Sequence, residues 1–156
     1  MKQQKIARFL LALLLILALT FTMMLTACKN EPADEVETEG EVERTGAWED
    51  AIYVSDTEFG EGEKTITVKV IAEEQEIVFT IHTNEQYLDD AMLAHELITG
   101  ENSEYGLYVK TVNGILADYN VDGTYWSVCK DNTPTPVGIS SVEIADGDSY
   151  QLIKTK

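Results

Sequence analysis

The chain is short of the residues that most often carry chemistry. Among 156 residues there are two cysteines, two histidines and three prolines, and 11 basic residues stand against 28 acidic ones. A zinc site needs four clustered soft or imidazole ligands, and His82, His95 and the two cysteines are too scattered to suggest one. No G-x-S-x-G, H-E-x-x-H, phosphate-loop or G-x-G-x-x-G pattern occurs, so no motif nominates a catalytic centre and a non-enzymatic role is expected. The formal net charge of −17 repels phosphate backbones and anionic lipid headgroups. Nucleic acid is thereby excluded as a partner, while cations and neutral or basic partners stay open.

What the chain does have begins with one long apolar run. Lys2, Lys5 and Arg8 precede Phe9 to Leu25, which is free of charge over 17 residues. A basic start followed by an apolar stretch is the layout of a secretory signal. The run is also at the short limit for a membrane span, so an uncleaved anchor is the alternative. Leu25 to Cys28, "LTAC", resembles the lipobox of bacterial lipoproteins. That resemblance implies a signal peptide over residues 1–27, cleavage before Cys28, and lipid on the Cys28 thiol. The product would be anchored at the extracytoplasmic face of the cell membrane by its acyl chains. Cys129 would then be the only other thiol, with no intrachain disulfide available.

Residues 28–46 follow, with Lys29 to Gly46 reading "KNEPADEVETEGEVERTG". Acidic residues dominate, no aromatic is present, and two valines cannot seed a core, so an extended, disordered tether is expected. Residues 47–156 form the candidate domain. "KTITVKVIA" alternates strictly, with Ile66, Val68 and Val70 on one face, and "EIVFTIHT" continues it after a tight acidic turn, so the pair predicts a hairpin. "AIYVS" is a short β-prone stretch and "EFGEGE" after it reads as a turn. From Asn84, a fair N-cap, the spacing of Leu88, Ala91, Met92 and Ile98 predicts one long helix over Glu85 to Ile98, stopped by Gly100. "GLYVKTV", the Asn113-Gly114 turn and "ILADY" predict a second hairpin. "TYWSVCK" and the segment after Asp146-Gly147 predict further strands, with the proline-bearing "DNTPTPVG" as a loop. Strands, a single crossing helix and more strands make the expected class α+β: a β-grasp-like mixed sheet with one helix packed on one face.

"EYGLYVKTVNGILADYNVDGTYWSVCKDN" followed by "GISSVEIADGDSYQL" resembles the DUF4430 family, also described as transcobalamin-like C-terminal domains. Tyr105-Gly106, Asn113-Gly114, Tyr125-Trp126, Gly138 and Asp146-Gly147-Asp148 carry the resemblance, and "WEDAIYVSDTEFGEGEKT" is similar to the opening segment of lipoprotein members. The resemblance implies a β-grasp-like fold, a Gram-positive surface setting and a ligand domain, with a corrinoid or another small nutrient as candidate ligand. Members often carry an Asn-Gly pair shortly after the Tyr-Trp strand, whereas this chain has Asp131-Asn132 there, which puts any contact built on that turn in question.

Within "ILADYNVDGTYW", Asp118, Asn120, Asp122 and Gly123 fall at positions 1, 3, 5 and 6 of an EF-type calcium loop. Trp126 and Cys129 stand where the ninth and twelfth positions need oxygen, so the pattern predicts a shaped β-connection first. A weak calcium site survives only if acids from elsewhere, such as Asp146 and Asp148, complete it. Asp146-Gly147-Asp148 reads as a turn in its own right, His82 and His95 as residues at the edge of a core, and Cys129 as an inert thiol. Tyr105, Tyr119, Tyr125 and Trp126 are the candidate ligand contacts, because tyrosines on glycine-flanked loops offer apolar area with a polar tip. The leading expectation is a non-catalytic module for a small ligand. A protein-contact surface and a divalent-cation site are the alternatives.

Overall fold

The computed structural model describes residues 41–156. The expected signal peptide, Cys28 and the first part of the tether lie outside the described residues. Among the described residues no helix is long and apolar enough to cross a membrane. Among the described residues nine strands and one short α-helix occur in the order β1 (Thr57–Gly60), β2 (Lys64–Ala72), β3 (Gln75–Thr83), α1 (Leu88–Leu93), β4 (Ile98–Ser103), β5 (Gly106–Val112), β6 (Ile115–Leu116), β7 (Tyr125–Lys130), β8 (Thr133–Pro134) and β9 (Ser149–Thr155).

Strict alternation in β2 and β3 does what it predicts: the two pair antiparallel from Lys64–Thr83 to Ala72–Gln75. Ile66, Val68, Val70, Ile77, Phe79 and Ile81 point to one face and are fully buried. Six strands form the main sheet in the order β1-β3-β2-β9-β7-β8. β1 runs parallel to β3 and β9 parallel to β2, and the remaining pairs are antiparallel, so the sheet is mixed. A second sheet, β4-β5-β6, stands apart from it in hydrogen bonding. Its residues Val109, Val112 and Ile115 join Leu88, Ala91 and Met92 of α1 and the inner face of the main sheet in one apolar cluster. The class is α+β.

The helix is shorter than its periodicity suggests. It starts after Tyr87, not at Asn84, because Leu88 N–H donates to Val142 and Ile144 N–H to Gln86, drawing the entry into an extended pairing. Asn84 instead accepts Glu63 N–H at 3.0 Å. At the other end Glu96 turns left-handed at φ 56°, while Glu96 N–H bonds Leu93 and Leu97 N–H bonds Met92. This is a Schellman stop with glutamate where glycine is usual. The chain is thereby freed at Ile98 to open β4, which replaces the expected last helical turn. A second difference is that "AIYVS" is not a strand; the segment read as a turn after it supplies β1.

Asn113-Gly114 forms the expected tight turn, with φ of 53° and 80°. Its asparagine also does something the hairpin pattern does not announce. Asn113 is completely buried, and its side chain brackets Tyr53, accepting the backbone N–H and donating to the carbonyl at 2.8 Å each. Residues 42–48 strap onto the domain rather than leaving it. Val42 N–H bonds Val54 O, Glu43 and Gln75 bond reciprocally, and Trp48 is fully buried with its indole N–H on Ala72 O at 3.0 Å.

Candidate functional site

The segment Asp118–Thr124 is a closed turn. Asp118 Oδ1 accepts Asn120 N–H at 3.0 Å, and Asp122 Oδ1 accepts both the backbone and hydroxyl of Thr124. Asp118 Oδ2 takes Lys110 Nζ at 2.9 Å. That hydrogen bond, then the Asn120 amide, hold the Asp118 carboxyl below its ordinary range, and the same ion pair raises Lys110. Asp122 is lowered chiefly by the Thr124 hydroxyl and amide. The acids are thus committed to backbone donors and to a lysine. Asp146 and Asp148 are not beside them but at another turn, where Asp146 accepts Thr65 N–H at 2.8 Å. Asp148 Oδ2 is shared by Lys130 Nζ at 2.6 Å, Tyr150 Oη–H at 2.7 Å and Ala145 N–H at 2.9 Å. Burial opposes its charge, but these three donors outweigh burial and hold its carboxyl below the usual value. Among the described residues no group of three or more His, Cys, Asp or Glu is arranged to hold a metal ion.

The tyrosines are dispersed. Tyr105 is 81% exposed at the tip between β4 and β5, Tyr119 stands exposed on the Asp118 turn, and Tyr125 opens β7. Strand alternation sends Tyr125 and Trp126 to opposite faces of the main sheet. Trp126 is the member of this set that contributes to the wall of a cavity. It is 7% exposed, and its indole N–H is buried without a hydrogen-bond partner.

That cavity is a slot of about 210 Å³ between β5 and β7, lined by Leu107, Tyr108 and Val109 on one side and Trp126, Ser127 and Val128 on the other. Pro134, Thr135, Val137, Gly138 and Ile139 close its third side. Two further grooves are larger but differ in character. One of about 400 Å³ is lined by Glu41, Asp56, Glu74 and Glu76 with apolar neighbours, and one of about 450 Å³ lies on the other flank of the Pro134–Val137 loop. Unlike those two grooves, the slot has a lining without a carboxylate, lysine, arginine or histidine. Sequence reasoning identified Trp126 but missed Val109, Thr135 and Ile139. The proline-bearing loop reads as a plain connection, and nothing local tells that β5 and β7 approach edge to edge.

The expected turn after the Tyr-Trp strand survives its change of residues, since Asp131 and Asn132 adopt φ of 50° and 64° and close β7 onto β8. Cys129 is a buried free thiol. His82 sits on the outer face between Thr65 Oγ1 at 3.0 Å and Glu58 Oε1 at 2.6 Å, as a cross-strand link holding β1 to the sheet.

Comparison with known proteins places this geometry. No curated protein matches the chain at significant similarity. Among solved structures, a protein of Ruminococcus gnavus, provisionally described as metal binding, aligns with a TM-score of 0.57 and 33% identity, over 60% of this chain and 98% of that one. Haptocorrin, solved in complex with Cbi, aligns with a TM-score of 0.52 and 20% identity over 63% of this chain. The aligned part is 26% of haptocorrin, so that likeness is one of fold. It meets the expected transcobalamin-like link at that level. The family model described as "Domain of unknown function (DUF4430)" matches residues 85–151, from α1 into β9 and across both walls of the slot. The chain belongs to the DUF4430 family.

Proposed function

We propose that the chain is a non-catalytic ligand-binding module, displayed at the extracytoplasmic face of a cell membrane by lipid on Cys28. The single observation that carries the binding part is the slot between β5 and β7, an uncharged cavity with Trp126 in its wall in an acidic molecule. Cavities that mix apolar walls with a few polar groups are where small ligands seat. The fold supporting it is read as a β-grasp core. β2 and β9 form a central parallel pair, with β3 outside one and β7 outside the other, and β1 added at the edge. The likeness to haptocorrin keeps corrinoids among the ligands to try.

Equilibrium dialysis of the chain against cobalamins and a panel of neutral metabolites tests the reading. Retention of one of them, lost on filling the slot, is the expected result, and retention of none sinks it.

A divalent-cation role is the second reading, favoured by the provisional description of the Ruminococcus gnavus relative. Its residues here are Asp118, Asn120 and Asp122, and calcium would have to displace Lys110 and the Thr124 donors to gain them. A melting temperature unmoved by millimolar calcium removes it.

A further inference from the structure

One exposed surface is apolar and locally neutral in a strongly acidic molecule. We propose that the segment from Leu116 to Tyr125 is a membrane-contact surface, seated in the headgroup layer of a lipid bilayer. This rests on the membrane display proposed above and adds which part of the domain meets the bilayer.

Side chains are the first observation. Tyr119 and Val121 project from the turn at 64% and 77% exposure, and Leu116, Tyr125 and Ile52 are exposed as well. Ile52 belongs with them because a Cβ on Gly114 would lie 3.2 Å from its Cγ1. Tyrosine among aliphatic neighbours suits the boundary between headgroups and acyl chains, where the ring is apolar and the hydroxyl stays wet.

Backbone and charge are already settled within the turn. Each N–H from Asn120 to Thr124 has an acceptor there: Asp118 Oδ1 for Asn120, Asp118 O for Val121 and Asp122, Tyr119 O for Gly123, and Asp122 Oδ1 for Thr124. Donors so paired lose little on leaving water. Both acids of the segment face a lysine, with Asp118 at 2.9 Å from Lys110 and Asp122 at 3.9 Å from Lys154. Lys156 adds a further cation, its Cε 3.8 Å from where a Cβ on Gly123 would stand. The surface is thereby neutral to basic, although the chain as a whole carries −17.

Position is the third observation. β6 lies against Gly46–Trp48, whose Trp48 indole bonds Ala72 at the end of β2, and Tyr125 pairs with Thr155 at the end of β9. Glu73, Glu74 and Glu76 crowd the β2–β3 turn at this same end of the sheet, but the strand order places β9 between that turn and Tyr125. In sequence Glu41 follows Cys28 by 13 residues, at most about 45 Å of extended chain. Lipid on Cys28 therefore keeps this end within reach of a bilayer. A protein partner or a second copy would need about 800 Å² on each side, more than five side chains around a projecting turn supply. A bilayer needs no matched surface.

The test uses the full chain, made in a bacterial host that processes lipoproteins and reconstituted in phosphatidylcholine vesicles. Val121→Trp places a reporter on the turn, and Thr133→Trp, exposed beside the β7–β8 turn at the other end of the sheet, is the control. Emission of each is read above that of Trp48 and Trp126 in the parent chain. Acyl-brominated phosphatidylcholine should quench the Val121→Trp signal roughly twofold and shift it to the blue, leaving Thr133→Trp unmoved. Adding Leu116→Ser and Tyr119→Ser, both at exposed positions, should remove that quenching. Equal quenching at both reporters, none at Val121→Trp, or quenching that survives the added substitutions overturns the contact. A blue shift that grows with protein concentration in the absence of lipid also overturns it, in favour of a second copy. The mass of the chain at Cys28 reads the display separately. Lipid on Cys28 with Val121→Trp unquenched sinks the contact and spares the display, whereas quenching with an unmodified Cys28 supports the contact and counts against lipid there.

Discussion

Asn113 shows how much one side chain can hold in this domain. It occupies a left-handed position, terminates β5 and supplies both hydrogen bonds that satisfy the Tyr53 peptide groups. Asn113→Ala strands that N–H and C=O and places a Cβ-only residue at φ 53°, for an expected loss of about 3 kcal/mol in urea denaturation. Asp148 makes a prediction in pH. Its carboxyl is held below the ordinary 3.8, so the folded chain binds that proton less readily than the unfolded one. Its contribution is complete above the unfolded value and is lost as pH falls through the lower folded one. Tyr150 works in the opposite direction. Burial first, then Asp148, raise its phenol above the ordinary 10.0, so its contribution is complete below that pH and drains as pH rises past it. Asp148→Asn should flatten the acid limb of a stability–pH curve measured by thermal melting below about pH 4.

Elements were legible where burial imposes a period. The β2–β3 hairpin, the Asn113-Gly114 turn and β9 follow from alternation and turn chemistry alone. The helix was legible at Leu88, Ala91 and Met92, which are buried, but not at its end, because Glu96 takes a left-handed stop without a glycine to mark it. β4 was opaque for a related reason. Five of its six residues are exposed, so its sequence, "ITGENS", has no apolar alternation, and its strand character comes from pairing with β5. Half of the site shared that fate: Trp126 was visible as an aromatic in a strand, whereas its opposite wall belongs to tertiary approach. Two glycines test the elements separately. A Cβ on Gly100 would lie 2.1 Å from Tyr108 O, against the backbone at the β4–β5 irregularity. Gly147, at φ 82°, has no heavy atom within 4 Å of such a Cβ and meets backbone strain alone. Gly100→Ala should cost more than Gly147→Ala in the same denaturation assay, about 3 against about 1 kcal/mol.

At the scale of the molecule, one apolar cluster spans both sheets and the helix, so the sheets are not separable units. Trp48 packs beneath the end of β2 and Trp126 at the slot. Tryptophan fluorescence and far-ultraviolet circular dichroism should therefore report one coincident unfolding transition; two transitions would show that the sheets part independently. Among the described residues the outer face of the main sheet has no such apolar cover and carries Thr65, Thr67, Lys69, Thr80 and His82 at intermediate exposure, which suits a sheet wetted on one side.

The strap over residues 42–48 also gives the domain a polarity. It is fastened at Ala72, Glu73 and Gln75, where β2 turns into β3. Because β9 runs parallel to β2, Ile153 lies beside Ile71 at this same pole, and Tyr125 pairs there with Thr155. The Asp131-Asn132 and Asp146-Gly147 turns mark the opposite pole, since Lys130 pairs with Tyr150 and Gly147 N–H bonds Thr65. The chain therefore enters and leaves its fold on one side, like a plug with both wires at its base. Within the described residues the strap and the end of β9 thus share one pole, and the two turns between strands lie at the other.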